Sequence, residues 1–182
     1  MSICIALLRG INVAGHKSVT MGDLRDVLTQ LGFADAQSLL QSGNLVFRSA
    51  GPQTAARLEK MLEAEASHRL NLQTDFFVRT SQEWGEIVAG NPFRDEARLD
   101  PGHLVVMFLK EAPAPNDVTL LRAAIRGPEI VRASGRQLYI TYPDGIGRSK
   151  LTNVLIEKQL GTRGTSRNWN TVLKVEAAVS RR

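Results

Sequence analysis

Apolar residues along the chain alternate between short continuous runs and stretches with helical spacing, and the order of these patterns repeats. Ile3-Cys4-Ile5-Ala6-Leu7-Leu8 is an unbroken apolar run, the mark of a central strand covered on at least one face. Met21, Leu24, Leu28 and Leu31 follow on one helical face, opened by Thr20 as N-cap with Asp23 reaching back, and Gly32 stops it. Ser38-Leu39-Leu40 and Leu45-Val46-Phe47 flank Gln41-Ser42-Gly43-Asn44 as a hairpin. A helix starting at Pro52 carries Ala55, Leu58, Leu62 and Ala66 inward, and Asp75-Phe76-Phe77-Val78 is the next strand. The order is βαββαβ, a ferredoxin-like plait.

Thr80 and Glu83 stand at capping-box spacing before a helix whose inner face is Trp84, Ile87 and Val88, so Trp84 is expected to be buried. Asn91-Pro92 ends that helix, and the charged, proline-punctuated stretch to Gly102 is the best junction. The order then restarts. Leu104 to Leu109 is a strand; Asn116 caps a helix with Leu120, Leu121 and Ala124; Ile130-Val131 and Leu138-Tyr139-Ile140-Thr141 form a hairpin across Ser134-Gly135. Ser149 caps a helix bearing Leu151, Val154 and Leu155, and Asn168 caps a last one bearing Trp169, Val172 and Leu173. Thr165-Ser166-Arg167, between them, makes a poor strand. The expected class is therefore α+β, with two tandem ferredoxin-like halves at 1–80 and 104–182, a linking helix and junction at 81–103, and a C-terminal helix. One continuous mixed sheet is the alternative.

Composition changes this picture little. The 182 residues can bury a substantial core, and 43% apolar with 23% charged residues is ordinary for a globular chain. A net charge of +5 suits an anionic partner, yet arginines scattered along the chain equally describe a basic solvated surface. The single cysteine, Cys4, lies in an apolar run and forms no intramolecular disulfide, so it reads as a core residue in a reducing compartment. No run reaches the length of a membrane span and the N-terminus lacks signal-peptide organisation, which makes the cytoplasm the expected location and excludes a membrane partner. His16, His68 and His103 have no metal-ligand spacing, and no cofactor motif is present, so neither metal nor cofactor is expected.

Three polar segments carry the candidate chemistry. In a plait the first and second strands run the same way, so the loop after Leu8 and the turn after Leu40 share an edge. This gathers Arg9, Asn12, His16 and Lys17 with Gln41, Ser42 and Asn44, a set able to hold an anion through guanidinium and amide donors. Turn geometry alone accounts for Gly10, Gly15, Gly43, Asn12 and Asn44, and leaves Arg9 unexplained. Tyr142-Pro143-Asp144-Gly145-Ile146-Gly147-Arg148-Ser149-Lys150 is the second segment. Its glycines precede a helix start where a phosphate or carboxylate can sit, with Arg148 and Lys150 adding charge, although a turn plus a Ser cap explains it too. Arg167-Asn168-Trp169-Asn170-Thr171, the third, offers a stacking wall or a core tryptophan. The chain lacks the aromatic platform of RNA-recognition plaits.

These segments, with Leu8-Arg9-Gly10-Ile11-Asn12-Val13, resemble in order and spacing the signature segments of a bacterial family, domain of unknown function 1697. Ala14 stands where a second glycine is common in that family, and Ser166 where threonine is. The resemblance implies two plait-like halves and no established biochemical activity. The functional expectation is a small anionic ligand, a phosphate-bearing one among the options, near Arg9, Asn12, Gln41, Ser42 and Asn44, with Arg148, Lys150 and Arg167 contributing. The alternatives are a nucleic-acid-binding module without sequence readout and an enzyme acting by positioning and electrostatics. Ligand identity and oligomeric state are not written in the sequence.

Overall fold

The computed structural model describes residues 1–10, 19–40 and 43–181. Strand β1 (Ser2–Leu8), helix α1 (Met21–Gln30), strands β2 (Ala34–Leu39) and β3 (Asn44–Ser49), helix α2 (Ala55–Leu70) and strand β4 (Phe76–Thr80) form the first βαββαβ series. Helices α3 (Ser81–Ala89) and α4 (Arg94–Leu99) follow it. The second series is β5 (Leu104–Leu109), α5 (Pro115–Ala124), β6 (Ile130–Ser134), β7 (Gln137–Thr141), α6 (Asn153–Leu160) and β8 (Gly164–Asn168), followed by α7 (Trp169–Ser180). Each series makes its own antiparallel four-stranded sheet, in the orders β2-β3-β1-β4 and β6-β7-β5-β8. The class is α+β with tandem plaits, and the described strands do not merge into one sheet. Two compact units result, Met1–Ile87 with Val175–Arg182, and Val88–Lys174.

In the first unit Cys4, Ala6 and Leu8 of β1 pack with Leu45 and Phe47 of β3 against Leu24, Leu28, Leu58 and Leu62 of the helices. Ile5 and Leu7, pointing to the other face, are equally buried, as are Val46 and Phe77. Central strands covered on both faces explain the unbroken apolar run. The second unit repeats the pattern: Val105, Met107 and Leu109 face Leu121, Ile156 and Leu160, while Val106 and Phe108 are buried on the opposite side. With both faces covered, Phe108 and Tyr139 lie inside rather than on an open nucleic-acid platform.

The capping boxes form as expected. Thr20 Oγ1 accepts the Asp23 N–H while Asp23 accepts the Thr20 N–H, and Thr80 with Glu83 does the same before α3. Trp84 is fully buried. Helix α2 starts later than Pro52, because Thr54 Oγ1 takes the Arg57 N–H and supplies a cap that proline lacks. Helix α5 starts earlier than Asn116, since Pro115 enters the first turn with its φ already helical. The junction segment also folds, as the short helix α4.

Strand β8 forms despite its polar sequence because it pairs with β5 from Asn168 opposite Val105 to Gly164 opposite Leu109. Gly164 is required for that approach. A Cβ there would lie 2.6 Å from Met107 Cε and 3.0 Å from the Phe108 carbonyl oxygen. Gly164→Ala is therefore expected to cost about 1–3 kcal/mol by overpacking, measured by urea denaturation.

Candidate functional site

The second unit holds a groove of about 400 Å3, between the end of α5 and the loop that follows β7. Its walls are Arg126-Gly127-Pro128-Glu129 on one side and Asp144 with Arg148-Ser149-Lys150 on the other, over a floor that includes Ile125, Leu151 and Leu155. That volume lies in the range of small-molecule sites.

The loop is held from below. Tyr142, 1% exposed, donates its hydroxyl to the Leu151 carbonyl at 3.1 Å and its N–H to the His103 carbonyl at 2.8 Å. Burial, and secondarily the Glu129 carboxylate, push the Tyr142 hydroxyl well above the ordinary phenol range, so it remains a donor at neutral pH. Gly145 turns the chain at φ +86°, a conformation that favours glycine, and a single 3-10 turn, Ile146–Arg148, follows. Ser149 is not a helix cap. Its hydroxyl accepts the Leu151 N–H at 3.0 Å and donates to Glu129 Oε1, whereas Thr152 caps α6 by accepting the Leu155 N–H. The loop therefore spends its hydroxyl on crossing the groove, and the helix begins farther along. A Cβ on Gly127 would fall 2.3 Å from Glu129 Oε2, so glycine lets that carboxylate fold inward to meet Ser149.

Arg126, Arg148 and Lys150 are exposed at the rim. Against Glu129 and Asp144 they leave one net positive charge among the lining side chains, and Glu129 is already engaged by Ser149. Such a groove can receive an anionic group at its rim and an apolar body on its floor. Arg126, Gly127 and Glu129 were not singled out from the sequence; the signal was a charged Arg-Gly-Pro-Glu turn interrupting the α5 pattern.

In the first unit, the end of β1 does meet the β2–β3 turn: the Leu8 N–H donates to the Gly43 carbonyl at 2.9 Å. Arg9 is half-exposed, with Nη1 3.7 Å from Asp75 Oδ2, and its carbonyl accepts from Thr74 Oγ1. Asn44 is fully buried and donates to the Leu39 carbonyl at 3.0 Å, which closes the hairpin. Asn12, Gln41 and Ser42, with His16 and Lys17, lie outside the described residues.

Arg167 lies within the second unit on β8, 8% exposed, and Nη1 donates to Thr165 Oγ1 and to the Ser166 carbonyl, both at 2.8 Å. Burial lowers its pKa to about 10, which still leaves it a cation at neutral pH. Its counterpart on β4 is Arg79, 1% exposed, which likewise bonds the preceding carbonyl, that of Val78. Arg79 faces Ile5 and Arg167 faces Val106 in register, so both halves bury an arginine at matching positions beside a helix cap. Trp169 is buried as well.

Among the described residues no group of three or more His, Cys, Asp or Glu can hold a metal, and no helix is long and apolar enough to cross a membrane. No curated protein matches the chain. A solved structure, the conserved bacterial protein SP0830 from Streptococcus pneumoniae, is similar over 97% of both chains with a TM-score of 0.74 and 21% identity, a likeness of fold. The family model described as "Protein of unknown function (DUF1697)" matches residues 1–139, which takes in the Arg9 and Asn44 segments and stops before Tyr142. The chain belongs to the DUF1697 family.

Proposed function

We propose that the protein binds a small anionic ligand, with Arg148 and Lys150 as the principal charged contacts and Arg126 opposite them. The observation that carries this reading is the convergence of three cationic side chains on one groove with an apolar floor. A phosphate-bearing molecule with a planar or aliphatic body matches both features, since the rim supplies charge-assisted donors and the floor covers apolar surface. In the first unit, Arg9 with Asn12, Gln41, Ser42 and Asn44 is the corresponding proposal, supported by the Leu8 to Gly43 hydrogen bond that joins the strand end to the turn.

Calorimetric titration of the full chain with adenosine monophosphate and with inorganic phosphate tests the groove. The Arg148→Ala/Lys150→Ala variant is expected to weaken nucleotide binding by roughly tenfold or more, since charge-assisted hydrogen bonds contribute about 1.5–3 kcal/mol each. Both residues are exposed, so the thermal midpoint should hold. Unchanged affinity, or no binding of either probe, would count against the groove. Tighter binding of single-stranded oligonucleotides with a steep salt dependence would instead favour the nucleic-acid reading.

A further inference from the structure

A second pocket, of about 340 Å3, opens in the first unit where the start of β1 meets the ends of β3 and β4. Ser2 pairs with Ser49, and Cys4 pairs with both Phe47 and Thr80, so the register brings these strand ends together. The segment that leads into helix α2, Gly51-Pro52-Gln53 with the cap Thr54, lines the same space together with Leu58 of the helix, so the pocket lies beside the helix start.

Two features distinguish this place from an ordinary helix start. The first is that its positive end is uncompensated. Thr54 Oγ1 accepts the Arg57 N–H and the Thr54 carbonyl accepts that of Leu58, which leaves the amides of Ala55 and Ala56 without helical partners, and the first turn holds no acidic residue. Helix α3, whose cap Thr80 lines the same pocket, is by contrast closed by Glu83. The second feature is independent. Ser49 is 1% exposed, and its Oγ has no hydrogen-bond partner among the described residues; Gln53 Oε1 is a second buried polar atom in the same condition. Both residues line the pocket. Buried hydroxyls and amides are ordinarily paired, so two orphans on one cavity mark a place built to be completed from outside.

We propose that this pocket binds a small 2-hydroxycarboxylate, its carboxylate on the α2 amides and the Ser49 hydroxyl, and its hydroxyl donating to Gln53 Oε1. The chemistry follows from what each wall offers. The helix end and Ser49 supply donors for an oxyanion, and Gln53 Oε1 accepts, so the ligand must carry a donor beside its anionic group. A hydroxyl fits better than an ammonium, because no charged side chain lines the pocket among the described residues to balance a desolvated cation. Leu58, Pro52 and Cys4 cover the carbon skeleton. Burial, with help from Glu83, raises the Cys4 thiol to about 11, so it stays neutral and packs against the ligand without adding charge.

Titration of the nitrogen-15-labelled full chain with glycolate, followed by amide NMR shifts, tests this assignment. Saturable shifts are expected at Ser49, Gln53, Ala55 and Ala56. Acetate, lacking the hydroxyl, should bind roughly fivefold more weakly, the equivalent of one ordinary hydrogen bond. Ser49→Ala and Gln53→Met should each weaken glycolate about tenfold. Ser49→Ala should also leave the thermal midpoint unchanged or raised, because the hydroxyl it removes is unpaired in the fold; a clear drop would assign Ser49 to structure and overturn the proposal. Inorganic phosphate binding there as tightly as glycolate, undiminished glycolate affinity in the two variants, or no saturable shift at these amides would each overturn it as well.

Discussion

Trp84→Ala is expected to lower the free energy of unfolding by about 3–5 kcal/mol, the largest single-residue effect anticipated in this chain. The residue sits on α3, directly after β4, and is fully buried together with Ile87 one turn farther on. Helix α3 has only nine residues, too few to persist without packing. Its own contributions are the Thr80–Glu83 box at one end and this apolar face. Removing the indole leaves a cavity that a short helix held at one end cannot collapse to fill. Urea denaturation gives the number. A loss below about 1.5 kcal/mol, the scale of a volume-conserving swap, would show that α3 does not anchor its unit.

What could be read in the sequence followed the strength of local signals. Apolar runs at 3–8 and 104–109 gave the central strands, because a strand covered on both faces needs no polar alternation. Side-chain caps gave the starts of α1, α3 and α7, since Thr20, Thr80 and Asn168 act on amides three residues away. Ser149 misled for a physical reason. A serine before an apolar helical pattern satisfies the capping rule, but its hydroxyl was claimed by Glu129, twenty residues earlier, and no local pattern encodes that contact. β8 was obscured in the same way, as its ladder comes from β5 and not from its own side chains.

The candidate site was legible in part. Arg148 and Lys150 stand out through the glycines of their loop, while the opposing wall of Arg126 and Glu129 belongs to a turn that becomes relevant only when the fold brings it near. Ser49 gave no signal at all: a serine ending a strand is unremarkable until its hydroxyl is seen to lack a partner.

Glu59→Ala is expected to destabilise the protein by about 2–3 kcal/mol, for a reason that the two halves share. β4 and β8 are edge strands, each with a row of amides facing away from its sheet neighbour. In the first unit α2 covers that row: Glu59 Oε1 accepts the Val78 N–H at 2.8 Å and Glu63 Oε1 accepts the Phe76 N–H at 3.0 Å. In the second, α6 repeats the device, with Glu157 Oε1 accepting the Gly164 N–H at 3.0 Å. The three carboxylates differ in burial, and burial decides the cost. Glu59 is 4% exposed and its partner Val78 is 1% exposed, so alanine leaves a dry, unpaired amide. Phe76 and Gly164 are buried as well, but Glu63 and Glu157 are only half-buried, so removing either side chain opens a path for water to its amide and should cost less than about 1.5 kcal/mol. Glu59→Gln keeps an acceptor in place and should lose under about 1 kcal/mol relative to the parent. Urea denaturation of the four variants, with unchanged m values, checks the order. Equally small losses for Glu59→Ala and Glu63→Ala, both below about 1.5 kcal/mol, would mean that the edge of β4 is open to water along its length, and that the helix covers it by proximity rather than by these two hydrogen bonds.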